Sequence, residues 1–181
     1  MEHVIRAVTA EDWQRVKELR LAALQDPVAD IAFLETYDNA AARPDSFWQE
    51  RAAGSRGALI AQQFIAERPD GGWDGAVTVL IERAGRPDIL GLPNEVDQAH
   101  LAGVFVRPEQ RGTGLVGALV DAAVAFSREL DDPEVFRVRL FVHQDNPRAE
   151  ASYRKLGFAR SGHTVPVPGD DSRVEHELVL G

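Results

Sequence analysis

The stretch Arg111-Gly112-Thr113-Gly114-Leu115-Val116-Gly117 carries the clearest chemistry in the chain. An apolar run, Leu101 to Val106, precedes it, and a helix-like apolar pattern opens at Leu115. The first N–H groups of a helix have no intrahelical acceptor, and the helix dipole is positive at that end. Glycines at 112 and 114 let those donors approach a ligand closely. Arg111 adds a forked set of charged donors. Together these features suit a phosphate. The bland alternative is a glycine-softened strand-to-helix turn that binds nothing.

Read as letters, residues 112 to 117 form G-x-G-x-x-G, the dinucleotide fingerprint. Three features argue against a nicotinamide or flavin site. Five residues, Arg107 to Arg111, separate the strand from the first glycine. The next apolar strand, Val135 to Leu140, carries arginines and no acid for a ribose. The chain after Gly117 is too short for a full doubly wound domain. No Gly-Lys-Ser/Thr is present, so a P-loop is excluded as well. The five histidines are scattered without metal-ligand spacing, so no metal is expected.

Composition narrows the class further. The chain has 181 residues and no cysteine, which excludes disulfides, thiolate metal sites and a cysteine nucleophile. Its length suits one domain, residues 1–181. A net charge of −9 disfavours nucleic acid as a partner. No apolar leader and no membrane-length apolar stretch is visible, so a cytoplasmic protein is expected.

The elements that must position these residues follow from periodicity. A strand is expected at Val4 to Val8. A capping box at Thr9 and Asp12 then leads into a helix that reaches Leu24 and stops before Pro27. Asp45 to Arg51 reads as a second helix start. Gln63 to Glu67 and Gly75 to Glu82 read as paired strands around a Pro69–Gly72 turn. Arg83 to Gln98 is a long polar loop, a length that is often functional. Ala99 to Val106 is a strand and Leu115 to Leu130 an amphipathic helix. Val135 to Val142 alternates, with Arg137 and Arg139 on one face and Phe136, Val138, Leu140 and Val142 on the other. Asn146-Pro147 opens a short helix that Gly157 closes, and strands at Val165–Val167 and Val174–Leu180 end the chain. The order gives an α/β fold with a mixed sheet.

With these elements in place, two blocks carry a resemblance. Val104-Phe105-Val106-Arg107-Pro108-Glu109-Gln110-Arg111-Gly112-Thr113-Gly114-Leu115 resembles the acetyl-CoA-binding segment of the GCN5-related N-acetyltransferase (GNAT) superfamily, whose core is (Q/R)-x-x-G-x-(G/A). Arg111 and Gly114 match, while Val116 stands where Gly or Ala is usual. Leu140 to Ala149, followed by Ser152-Tyr153-Arg154-Lys155-Leu156-Gly157-Phe158, is similar to the family's next strand-and-helix signature, with Ser152 in place of a common Leu. The blocks cover about residues 100 to 160, in the family's order.

The resemblance implies a partly splayed mixed sheet flanked by about four helices, and acetyl-CoA as co-substrate. The pantetheine arm would lie between the strands at 99–106 and 135–142, meeting the backbones of Val104 and Val106 while Phe105 faces away. The pyrophosphate would sit on the amides from Arg111 through Gly112, Thr113, Gly114, Leu115, Val116 and Gly117. Asn146 would contact the pantetheine arm, cap its own helix, or both. Tyr153 is the expected general acid for the leaving thiolate, since a phenol with pKa near 10 is protonated at pH 7. A packed core aromatic is the alternative for Tyr153. The acceptor implied is a primary amine of a small molecule or peptide.

An ammonium acceptor must lose a proton. Candidate bases are Glu95, Asp97, His100 and His143. The 83–98 loop is a candidate wall of the acceptor pocket. Asp26, Asp30, Glu35 and Asp38 suggest a cationic acceptor. A CoA-binding sensor without chemistry remains the rival on the same fold. The sequence leaves open whether two copies pair through the C-terminal strands.

Overall fold

A computed structural model describes residues 2–56 and 59–181. Seven strands form one open sheet in the order β1-β3-β4-β5-β6-β8-β7. They are β1 (Val4–Ala7), β3 (Leu59–Glu67), β4 (Trp73–Glu82), β5 (Gln98–Val106), β6 (Val138–His143), β7 (Ala159–Val167) and β8 (Asp170–Leu180). A two-residue strand, β2 (Ser55–Arg56), pairs with β3. The helices are α1 (Trp13–Leu24), α2 (Ala29–Ala32), α3 (Tyr37–Ala41), α4 (Asp45–Ala52), α5 (Leu115–Arg128) and α6 (Pro147–Lys155). The single-turn helices α2 and α3 lie in a stretch that lacks a clear sequence period. The last two strands are longer than their apolar cores, because a hairpin ladder extends through polar residues.

One core lies under α5. Leu115, Leu119, Val120, Ala123 and Val124 form its buried stripe against Val77, Val79, Ile81, Val138, Leu140 and Val142. The other core lies on the opposite face, under α1 and α4, around Trp48, Ile65, Ala76 and Phe105. Alternation along the strands divides the residues between the two. The expected capping box is seen in its carboxylate half, where Asp12 Oδ2 accepts the Thr9 N–H at 2.9 Å.

Phe136 is corrected. It precedes β6 and is 74% exposed, whereas Val138, Leu140 and Val142 are buried as expected. The ladder begins only at Val138, so alternation does not extend to Phe136.

The polar face of β6 is also buried. Arg139 donates to both carboxylate oxygens of Glu82 at 3.0 Å, to Asp88 at 2.9 Å and to Glu177 at 3.0 Å. Burial alone would raise Glu177, but Ser161, Arg137 and Arg139 hold it down at about 2. The 83–98 loop folds over this cluster as a small hairpin, with Asp88 facing Arg139 and the Ile89 N–H donating to Glu82 at 3.0 Å.

Candidate active site

The sheet opens where β5 and β6 diverge. These two parallel strands pair only at Ala99↔Val138 and His100↔Arg139. The β4–β5 register slips between Ala76 and Thr78, and Gly103 sits opposite the slip at φ +60°. One extra residue on β5 bends the strand there, and a residue without Cβ takes that conformation at little cost. Alternation beyond the bulge turns the backbone groups of Val104 and Val106 toward the gap and Phe105 toward the α1 side. The core assignments agree: Phe105 packs with the α1 core, while Val104 and Val106 pack with the α5 core.

Both strands end at the same edge, and both lead into helices there. After β5, a 3-10 turn (Pro108–Gln110) and Gly112 and Gly114 at φ +78° and +87° deliver the start of α5. The Arg111 N–H closes the turn on Pro108 O at 3.2 Å, and the first helical bond runs from Ala118 N–H to Gly114 O at 3.2 Å. Between them, the N–H groups of Gly112, Thr113, Gly114, Leu115, Val116 and Gly117 meet no protein acceptor among the described residues. Successive open donors at a helix start form an anion-binding concavity. A Cβ on Gly112 or Gly114 would meet nothing within 4 Å, so the space before these donors is open.

Individual side chains behave differently from a simple phosphate cradle. Arg111 is spent on the protein: Nε donates to Val106 O at 3.1 Å and the guanidinium meets Asp26 at 2.5 Å. It braces the loop onto β5 and the end of α1. Its net contribution to an incoming anion is small, because Asp26 already cancels its charge. The Thr113 hydroxyl donates to Gln110 O at 2.6 Å, leaving its N–H open. Val116 turns its side chain onto the core, so its bulk does not stand over the loop. Gly117 is a packing position, since a Cβ there would lie 3.2 Å from Leu156.

A prediction follows for Gly114→Ala. A side chain at φ +87° costs about 1–2 kcal/mol, so the loop relaxes and turns donors away. Affinity for acetyl-CoA, the ligand the resemblance implies for this loop, should drop about tenfold, read by calorimetry. Unchanged affinity would remove these amides from the cofactor site.

After β6, Asn146 caps α6, its Oδ1 accepting the Ala149 N–H at 3.3 Å. The side-chain amide N–H groups have no protein acceptor among the described residues and can serve a ligand. The other end of α6 fixes Tyr153. Phe158 N–H donates to Tyr153 O at 3.1 Å and Gly157 N–H to Arg154 O at 3.0 Å, the paired bonds of a Schellman ending. The Phe158 ring meets the Tyr153 ring edge-on at 6.1 Å between centroids, supplying the apolar contact of that motif. Tyr153 is 9% exposed. Its hydroxyl has no hydrogen-bond partner among the described residues and is not an enclosed polar atom. Burial of the ring pushes the phenol well above its usual range.

The candidate bases separate. Glu95 is exposed, and Asp97 accepts the Ala84 N–H at 2.9 Å to shape the loop. His100 is buried with Nδ1 3.4 Å from Glu82 and its ring 5.6 Å from Phe141. His143 is buried and its Nδ1 accepts the Asp145 N–H at 3.0 Å. Of the acids suggested for a cationic acceptor, Asp26 pairs with Arg111 and Glu35 with Arg20 and Arg43. Burial would raise Glu35, but Arg43 and Arg20 hold it below the usual range. Only Asp30 and Asp38 remain as surface charge. Glu175 escapes a sequence reading, although it stands across from His143 in the β6–β8 ladder. The signal was present in Val174-Glu175-His176-Glu177-Leu178, where two acids two apart must share a face of the strand.

Among the described residues, no group of three or more His, Asp or Glu side chains could hold a metal ion. No helix there is long and apolar enough to cross a membrane.

The splayed parallel pair and the open amides at the start of α5 sit in an open, mixed α/β fold, and comparison with known proteins gives its family. The model of the acetyltransferase (GNAT) family matches residues 13–158, so the chain belongs to that family. Among solved structures it is similar to Arabidopsis thaliana NAA60 in complex with acetyl-CoA, at 20% identity and TM-score 0.68, covering 99% of each chain. It is similar to the GNAT domain of S. lividans PAT, at 19% identity and TM-score 0.68, covering 98% of this chain and 90% of that one. It is also similar to the spermidine/spermine N-acetyltransferase SpeG from Vibrio cholerae, at 17% identity and TM-score 0.62, covering 99% and 94%. No curated protein sequence matches the chain.

Proposed function

We propose that the protein is a single-domain N-acetyltransferase that moves the acetyl group of acetyl-CoA directly onto a primary amine of a small molecule or peptide. The observation that carries this reading is the run of open N–H groups from Gly112 to Gly117 at the mouth of the diverging β5 and β6. The residues fit the co-substrate. Six adjacent donors suit a pyrophosphate, and the strand edges at Val104 and Val106 offer groups for pantetheine amides, apart from the Val106 carbonyl that Arg111 engages. Asn146 adds a side-chain amide at the same edge. Tyr153 donates the proton that the leaving sulfur requires. Burial keeps the phenol protonated across the working range, and its hydroxyl is free of competing partners among the described residues. Direct transfer needs no covalent enzyme intermediate, and the chain has no cysteine to form one.

The test compares acetyl-CoA with NADPH by thermal shift. A ligand at about 100 times its Kd adds about 2.7 kcal/mol to folded stability. A rise with acetyl-CoA alone, followed by thiol release with an amine panel, is expected. A rise with NADPH alone would overturn the proposal. Acetyl-CoA binding without thiol release from any amine would favour a sensor.

A further inference from the structure

We infer that Glu175, facing His143 at the open edge of β6, receives the acceptor's ammonium group and takes its first proton. The inference rests on the transferase reading above.

The β6–β8 register pairs His143 with Glu175, so both side chains stand on one face of the sheet. That face is opposite the α5 core, to which Val142 belongs. Phe141 shares the face, and α2 lies against β6. The face therefore flanks the gap on the side away from α5 and α6, where an acceptor can approach a thioester held between the strands.

The charged groups around Glu175 are accounted for. Glu82, Asp88 and Glu177 on the same face are bound by Arg139, and Glu177 also by Arg137. Asp145 at the end of β6 pairs with Arg173 at 3.2 Å. His163 on β7 lies across Phe141, its ring 6.2 Å away. Glu175 alone among the described carboxylates of this face has no hydrogen bond and no ion pair, and it is half-buried. The histidines are poorer acceptors. His143 Nδ1 accepts the Asp145 N–H, so its neutral ring carries the proton on Nε2 and is a donor there. His100 is turned to Glu82. Burial raises the proton affinity of Glu175, and His143 and His100 only partly oppose this. A carboxylate so placed is a better match to a base working near neutrality.

The step balances. The acceptor R–NH3+ gives one proton to the Glu175 carboxylate, and the freed lone pair forms a bond to the thioester carbonyl carbon. The C–S bond breaks and its electron pair leaves on sulfur. Tyr153 protonates the sulfur and is restored by the second proton lost from nitrogen. The amide keeps the third proton, and Glu175 releases the first to solvent.

The test uses spermidine and a short peptide with a free α-amine. Thiol release is followed against pH, and amine binding to the CoA-loaded protein by calorimetry. Glu175→Gln should lower kcat/KM for the amine that turns over by about 10²-fold. It should also weaken binding of that amine and remove the acid limb of the pH profile, with acetyl-CoA affinity unchanged. The deficit should shrink as pH rises toward the amine's own pKa, because free amine then arrives unaided. Glu175→Asp should recover part of the rate. Turnover and amine binding in Glu175→Gln equal to wild type would overturn the assignment, as would a wild type that binds neither amine. If wild type binds an amine through Glu175 yet releases no thiol, Glu175 stands as the amine site and the transferase reading falls instead.

Discussion

Tyr153→Phe is expected to lower acetyl transfer by about 10²–10⁴-fold, the usual range for loss of a positioned general acid. Acetyl-CoA affinity should change little. The substitution deletes one oxygen and leaves the ring, so its packing on Phe158 and the backbone bonds that close α6 persist. The hydroxyl makes no bond to the described protein, so its loss exposes no unsatisfied partner and the fold should keep its Tm. The effect should appear in kcat and kcat/KM equally, because the proton is needed only as the C–S bond breaks. Burial lifts the phenol above its ordinary range, so Tyr153 should add no alkaline limb to the wild-type pH profile below its usual pKa near 10. Single-turnover thiol release with saturating acetyl-CoA measures this directly. Undiminished turnover in the variant would remove Tyr153 from the chemistry and leave it a packing residue.

Arg139→Leu carries the largest expected cost to stability, about 3–5 kcal/mol. Arg139 is the shared cation of three carboxylates, Glu82, Asp88 and Glu177, all nearly inaccessible to solvent. Removing it leaves Glu82 and Asp88 buried without a guanidinium partner and Glu177 with Arg137 alone. A loss of that size corresponds to a fall in Tm of about 10 °C for a chain of this length. The pH dependence identifies the cause. In the wild type Glu177 is depressed to about 2, so its stabilising contribution is present above the ordinary glutamate range. It fades as pH falls from about 4.5 toward 2, and amounts to up to about 3 kcal/mol. In the variant Glu82 and Asp88 are buried without their cation and Glu177 keeps only Arg137, so the carboxylates are easier to protonate and protonation favours the folded state. The difference between wild type and variant should narrow as pH drops from 7 to 4. Urea unfolding across that range checks it, and a constant difference would show that lost packing, not buried charge, sets the cost.

These two residues also show what kinds of information a sequence carries. Tyr153 could be nominated from the chain because it lies in a block that resembles the family, and the helix that carries it is set by local residues. Asn146-Pro147 sets the start of its helix, and Gly157 with Phe158 sets the end. Arg139 could only be placed on a strand face opposite Leu140. That the face is buried depends on Glu82 and Asp88, from the end of β4 and the loop after it, and on Glu177 near the C-terminus, all distant from Arg139 in the chain. Arg111 is a further case. Its type and position suggest a free phosphate ligand, but Asp26, 85 residues away, takes its guanidinium.

The sequence by itself determined the helix and strand order from Ala99 onward, the glycine turn into α5, the ends of α6 and the family. The elements rest on short-range effects, namely apolar period, helix capping and residues suited to positive φ, and the family rests on the resemblance of two short blocks. Only the tertiary structure decided where β5 and β6 part, which side chains have their charge spent internally, and that Glu175 stands beside His143. Those outcomes depend on strand register and on which distant groups become neighbours. A one-residue slip along a strand reverses every face, and no local pattern fixes which register the folded sheet adopts.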